Sequence, residues 1–155
     1  DFDKAFDAPG VLERAVDFEK ELAVIVARSE SGEVRSFPTV EMVFHPEANL
    51  VEYLFAPAEI SPETDASAQD VACRTAEAFG IVGLLAVELF LTKDGQILIN
   101  EVAPRPHNSG HHTLRANDVS QFEQHLRAVL GLPLGDTTAR AAAAMVNLLG
   151  EDGHE

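Results

Sequence analysis

The sequence predicts an α+β domain, an antiparallel sheet with helices on one side. Three observations carry that expectation. β-leaning apolar runs are separated by polar turn clusters through the first third of the chain. A serine–proline start opens one long helical stretch. An Asp-Gly turn then joins two further apolar runs. Apolar residues make up 46% of the 155-residue chain, enough for a core and too many for wholesale disorder.

Phe2 and Phe6 are four apart, which predicts a short helix over residues 2–8 that Pro9-Gly10 ends. Val11–Val16 is expected as a short strand. Phe18–Arg28 holds Leu22, Ala23, Val24, Ile25 and Val26 in sequence, the pattern of a strand buried on both faces. The polar turn Ser29–Glu33 leads into a return strand over Val34–Phe44, and His45–Asn49 turns the chain into Val51–Phe55. Ser61 is a natural N-cap with Pro62 at the first helical position, and Gly80 a natural stop after Phe79. Strands are expected over Ile81–Thr92 and Gln96–Val102. Ser120–Leu130 is amphipathic, with Phe122, Leu126, Val129 and Leu130 on one stripe and a Glu123–Arg127 pair on another. Gly131 and Pro133 stop it, Leu134–Arg140 reads as a linker, and Ala141–Leu149 as one more strand. The phenylalanines at 37, 44, 55, 79, 90 and 122 are expected in the core.

Charge narrows the function classes. There are 11 basic and 26 acidic residues, a formal charge of −15. A field of that sign disfavours nucleic acid and anionic membrane as partners. No apolar run reaches the length of a membrane span. Cys73 is the only cysteine, so an internal disulfide is impossible and a cytoplasmic setting is expected.

The richest segment is VELFLTKDGQILINEV. A two-residue turn at Asp94-Gly95 sets Lys93 opposite Gln96, and the pairing continues until Glu88 stands opposite Glu101. Paired like charges are destabilising. Three arrangements would relieve them: a raised pKa on one acid, a cation between them, or a bulge that shifts the register at the sheet edge. An all-oxygen cation site selects Mg²⁺, or Mn²⁺, and completes its shell with water and phosphate oxygens. Past Glu101, Pro104 and Pro106 keep the chain extended. Glu101, Arg105 and His107 then lean to one side, so a guanidinium and an imidazole join the acids. Arg105 suits a planar oxyanion such as bicarbonate, carboxylate or phosphate, and His107 could orient a substrate or move a proton. Asn108 and Ser109 add polar groups. His107, His111 and His112 could instead bind zinc.

These residues resemble one family. LAVELFLTKDGQILINEVAPRPHNSGHHT, followed by SQFEQHLRAVLGLPLG, is similar to the ATP-grasp carboxyaminoimidazole ribonucleotide synthases of purine biosynthesis; ERAVDFEKELAVIVAR and MVNLLGED also match. The resemblance implies a ligase that uses ATP, bicarbonate and aminoimidazole ribonucleotide, through carboxyphosphate, and that is often a homodimer. It implies Mg²⁺ on Glu88 and Glu101, with Asn100 and Glu101 beside the nucleotide phosphates. Glu13, Arg14, Ala15 and Val16 would meet adenine, and Glu21 the ribose. Arg105, His107 and Asn108 would be catalytic, and with Ser109 would hold bicarbonate and the aminoimidazole substrate. Where many relatives carry a His, this chain has Phe44, with His45 one place later. The resemblance further implies that residues 1–132 are the C-terminal half of an ATP-grasp domain and 133–155 the start of a small C-terminal subdomain. The family's lysine- and glycine-rich phosphate loop has no match, so the isolated chain is expected to be inactive. Three other readings stay open: a different ATP-grasp carboxylate–amine ligase, such as a formate-dependent one, a non-catalytic nucleotide-binding module, and a truncated oligomerisation piece.

Overall fold

The computed structural model describes residues 8–44 and 51–148. The expected helix over residues 2–8 falls almost entirely outside them, as do His45 and His154. Seven strands form one sheet: β1 (Phe18–Arg28), β2 (Val34–Ser36), β3 (Val40–Phe44), β4 (Val51–Ala56), β5 (Gly83–Thr92), β6 (Ile97–Ala103) and β7 (Ala143–Val146). Their order is β6-β5-β1-β3-β4-β7, with β2 paired to β1, and every pairing is antiparallel. The helices are α1 (Pro62–Phe79), α2 (Thr113–Ala116) and α3 (Gln121–Val129).

β1 and β5 are the centre. Their near-continuous apolar runs can be buried on both faces because helices cover both. On one face Leu22, Val24 and Val26 of β1 and Leu85, Val87, Leu89 and Leu91 of β5 pack on Ala68, Ala72 and Ala76 of α1. The alternate residues Ile25, Ala27, Leu84 and Ala86 pack on the other face with Phe37, Ala128 of α3 and Leu134. The helices therefore flank the sheet on two sides, not one.

α1 follows its expected bounds. Ser61 Oγ accepts from the Thr64 N–H, and Gly80 adopts a left-handed conformation (φ 59°) that lets its N–H and that of Ile81 close the helix end. That closure holds Ile81 and Val82 outside the strand, so β5 starts at Gly83.

Several expectations fail for physical reasons. Val11–Val16 forms no strand and finds no pairing edge; Val11 and Leu12 are 88% and 100% exposed. The Val34–Phe44 return divides into β2 and β3, because Pro38 cannot donate to the ladder. Phe37 at that break is fully buried, but Phe55, Phe79 and Phe122 are exposed. In α3 the apolar stripe faces out: Leu126 is 56% and Leu130 68% exposed, whereas Gln121, Gln124 and Ala128 are buried. The Glu123–Arg127 pair forms as expected, at 2.7–2.8 Å.

The segment Leu134–Arg140 is strapped down. Both ends of the Gln124 carboxamide bond Gly135, accepting from its N–H and donating to its carbonyl at 2.8 and 2.9 Å. Thr137 Oγ1 donates to the Ser36 carbonyl, and Leu134 is buried. The chain then returns to the sheet as β7, beside β4.

Candidate functional site

The β5–β6 hairpin builds the site, by a different register from the one its turn suggests. Near the turn Leu91 pairs with Ile97, Phe90 with Leu98 and Leu89 with Ile99, one residue off the expected pairing. The loop has three residues, Lys93-Asp94-Gly95, with Gly95 at φ 81° and Thr92 bonded to Gln96 across it. A bulge between Val87 and Leu89 then shifts the register, so that Val87 pairs with Val102 and Ala86 with Ala103. Glu88 consequently opposes both Asn100 and Glu101. The acids meet as expected, but through the bulge and not as a simple pair.

Glu88 sits on the face that carries Ile25 and Ala86, beyond the end of the apolar patch. There a cleft of about 550 Å³ opens, lined by Phe18, Glu21, Phe44, Val51, Glu88, Phe90, Asn100, Glu101, His107 and Asn108. Phe18 stacks on Phe90 with ring centroids 4.6 Å apart. One wall is therefore aromatic and apolar, and the other carries three carboxylates, two amides and an imidazole.

Electrostatics single out Glu88. Burial, then the neighbouring Glu101 and Glu21 carboxylates, push its pKa up to about 7, against the pull of the Arg105 guanidinium. Glu21 is also raised, by burial. His107 Nε2 lies 3.3 Å from Glu88 Oε1. Burial and the nearby Arg105 hold the imidazole below its ordinary pKa. The imidazole is biased toward neutral and the acid toward protonated, so the two meet as a close polar contact rather than an ion pair. The ring's other nitrogen, Nδ1, is 2.9 Å from Ser109 Oγ.

A divalent cation fits this donor set. Three crowded acids share one cleft and one of them resists ionisation, so a positive charge between them would relieve the repulsion. Asn108 Oδ1 is buried without a hydrogen-bond partner. Among the described residues no three His, Cys, Asp or Glu side chains converge as a complete metal site. A cation here would therefore need oxygens from water or phosphate, the habit of Mg²⁺. The zinc alternative fails on the same observation: His107, His111 and His112 do not converge. His111 Nδ1 instead meets Gln121 Nε2 at 2.9 Å, and His112 is buried, its pKa lowered by burial.

The expected site residues are distributed unevenly. Glu21, Glu88, Asn100, Glu101, His107 and Asn108 come together in the cleft. Arg105 is exposed at its rim, its Nη1 donating to the Pro106 carbonyl, yet close enough to act on Glu88 and His107. Ser109 is fully buried behind His107. Arg14, Ala15 and Val16 line a neighbouring groove of about 250 Å³ with Asp17, Thr92, Asp94, Gln96 and Leu98, and Glu13 lies outside both spaces. Two features escaped the sequence reading. Phe90 lines the cleft, and Phe44 lines it while also packing against the Val40, Met42, Val51 and Leu54 cluster. Gln121 binds His107 through both its backbone groups. The only hint of the latter was a glutamine at a helix start just after a histidine-rich turn.

Comparison with known proteins follows the same lines. A family model for the ATP-grasp domain matches residues 2–122. The N5-carboxyaminoimidazole ribonucleotide synthase of Bacillus subtilis (strain 168) is 50% identical over 142 residues, which cover 92% of this chain and 37% of that protein. The chloroplastic phosphoribosylaminoimidazole carboxylase of Vigna aconitifolia is 48% identical over 148 residues, covering 95% and 26%. Among solved structures, the N5-carboxyaminoimidazole ribonucleotide synthetase from Thermotoga maritima superposes with a TM-score of 0.89 at 47% identity, covering 99% of this chain and 41% of that one. The Aspergillus clavatus synthase, solved with ADP and 5-aminoimidazole ribonucleotide, gives 0.84 at 38% identity, covering 90% and 37%. The chain spans well under half the length of these relatives. With most of its length matched by one domain model and its carboxylates gathered in one cleft, the chain belongs to the ATP-grasp family.

Proposed function

We propose that this chain forms one wall of the site of an ATP- and bicarbonate-dependent carboxylation of aminoimidazole ribonucleotide, in purine biosynthesis in the cytoplasm. The observation that carries the reading is the meeting of Glu88, Asn100, Glu101 and His107 in one cleft, in a chain whose relatives include an ADP and aminoimidazole ribonucleotide complex.

Glu88 and Glu101 would hold Mg²⁺, which when bound neutralises phosphate charge. Asn100 stands beside them, positioned for the nucleotide phosphates. The stacked Phe18 and Phe90 give the cleft a flat apolar side. Arg105 at the rim offers a planar fork to bicarbonate or to a carboxyphosphate. His107, held toward neutral with Nδ1 accepting from the Ser109 N–H, presents an Nε2–H donor at the acid wall that can orient a bicarbonate or carboxyphosphate oxygen. Asn108 Oδ1 is an unpaired acceptor suited to an N–H donor. Ser109 orients His107. Arg14, Ala15 and Val16 line a groove at the sheet's edge where, with Glu13, an adenine could be met through backbone atoms, and Glu21 in the cleft would meet the ribose. The same reading makes a homodimer the expected assembly, testable by light scattering.

The test replaces the matching segment of the Bacillus subtilis relative with this chain. Phosphate release should require both bicarbonate and aminoimidazole ribonucleotide. A folded chimera that binds MgADP yet turns over with neither, or with formate in place of bicarbonate, would overturn the reading. Calorimetry on the same chimera adds a second arm. MgADP binding should disappear in the double variant Glu88→Gln, Glu101→Gln.

A further inference from the structure

His107 presses its imidazole on Glu88 from a loop, not from a strand or a long helix. It precedes a single 3₁₀ turn, Asn108–Gly110, and follows the two prolines. Such a loop has little secondary structure of its own to hold it. What holds it is a residue from the other end of the segment. Gln121, the first residue of α3, is fully buried. Its Oε1 accepts from the His107 N–H at 2.9 Å, and its Nε2 donates to the His107 carbonyl at 2.7 Å. A carboxamide paired to both groups of one residue imitates a strand partner: it supplies the acceptor for the His107 N–H and a second donor to the His107 carbonyl, which also accepts from the Gly110 N–H at 3.0 Å.

The surroundings are shaped to this carboxamide. A Cβ at Gly110 would lie 2.6 Å from Gln121 Oε1 and 2.7 Å from its Cδ, so only glycine leaves room. Thr113 Oγ1 accepts from the Gln121 N–H and donates to the Gly110 carbonyl, which ties the amide's own backbone to the same turn. Nε2 also lies 2.9 Å from His111 Nδ1, so His111 helps fix which end of the carboxamide donates.

We propose that Gln121 is a positioning residue for the cleft: its carboxamide clamps the His107 backbone and so aims the His107 imidazole at Glu88. The consequence for turnover rests on the carboxylation reading above. The clamp itself does not, and the experiment separates them.

The experiment is amide hydrogen exchange and ring-nitrogen NMR on this chain, with no nucleotide present. Gln121→Met keeps the length and removes both hydrogen bonds. It is expected to speed exchange of the His107 amide at least tenfold, to abolish the contact between the His107 ring and Glu88, and to replace one ring tautomer by a mixture. Leu85 and Val87 amides in the sheet should exchange as before. Gln121→Glu, which retains the acceptor for the His107 N–H, should restore much of the amide protection. Gly110→Ala, which pushes the carboxamide aside without touching its chemistry, should reproduce the Gln121→Met pattern, and serves if Gln121→Met does not fold. Unchanged His107 protection and ring contact would overturn the proposal. So would a uniform loss of protection across β5, since Gln121 would then be ordinary packing. A folded chimera of the kind described above that turns over without bicarbonate would sink the carboxylation reading and leave the clamp standing.

Discussion

The two faces of the sheet are built on opposite terms. One is dry: seven large aliphatic side chains from β1 and β5 lie against three alanines of α1, without a charge among them. The other begins the same way, with Ile25, Leu84 and Ala86, and then gives way to Glu21 and Glu88 in the cleft. The helix that covers it turns glutamines inward and leucines outward. The difference teaches where stability and function reside. The dry face supplies apolar burial, and the other face accepts polar burial so that loops and acids can be placed.

The sharpest break of this contrast is on the dry side. Leu85→Ala should cost about 2–5 kcal/mol, read by denaturant melting, because α1 cannot fully collapse into the gap. On the opposite face the comparable blow is polar. Gln124→Leu places an apolar side chain of similar size there but strands the Gly135 N–H and carbonyl, and should cost about 1–3 kcal/mol. If that variant proves neutral, the polar face is not held by its glutamines.

Glu88→Gln should run the other way. Glu88's pKa near 7 lies above the ordinary carboxylate value of 4.5. Below pH 4.5 the group is protonated folded or unfolded, and the variant should match the parent. Between 4.5 and 7 the unfolded chain loses the proton while the native one keeps it, so the parent loses stability as pH rises. Above 7 the variant should be more stable by about 2 kcal/mol. The same substitution should weaken Mg²⁺ binding. In the parent that affinity should rise with pH up to about 7, as the proton leaves. A parent and variant that melt alike from pH 4 to 8 would remove the electrostatic half of the contrast. Least affected should be the outward stripe of α3. Leu126→Ser should change stability by under about 0.5 kcal/mol, since the side chain is already more than half exposed.

The sequence was most legible where local chemistry decides structure. Ser61, Pro62 and Gly80 mark α1 because caps act on their own neighbours. The runs of β1 and β5 announce burial on both faces because nothing else accommodates them. Legibility fell where a choice depends on distant residues. α3's periodicity shows a helix but not which stripe is buried, since that depends on Gly110 and Gly83 making room for Gln121 and His125, and on Gly135 bonding the Gln124 carboxamide. Phe44 and Phe90 read as core because an aromatic on a strand gives no sign that the sheet opens into a cleft. The meeting of Glu88 and Glu101 was foreseen through two errors that offset. The turn holds one more residue than Asp-Gly implies, and the bulge removes the resulting slip.

That bulge has a consequence for how such a chain can change by insertion and deletion. A strand assigns side chains to faces by odd and even position, so one extra residue acts as a parity switch. Ile97 and Ile99 lie with the dry face, but past the bulge it is Val102 that does so, and Ala103 lies with the other. Removing a single residue at 100 would remove the bulge, pair Glu88 with Glu101 directly, and leave Val102, Ala103 and the Arg105–Asn108 loop on their present faces, whereas a one-residue change in the regular ladder on either side would have to be absorbed by a new bulge or turn every later side chain over. A deletion at the bulge is therefore nearly silent for the fold and for the acid pair, and its cost to the site falls on Asn100 alone.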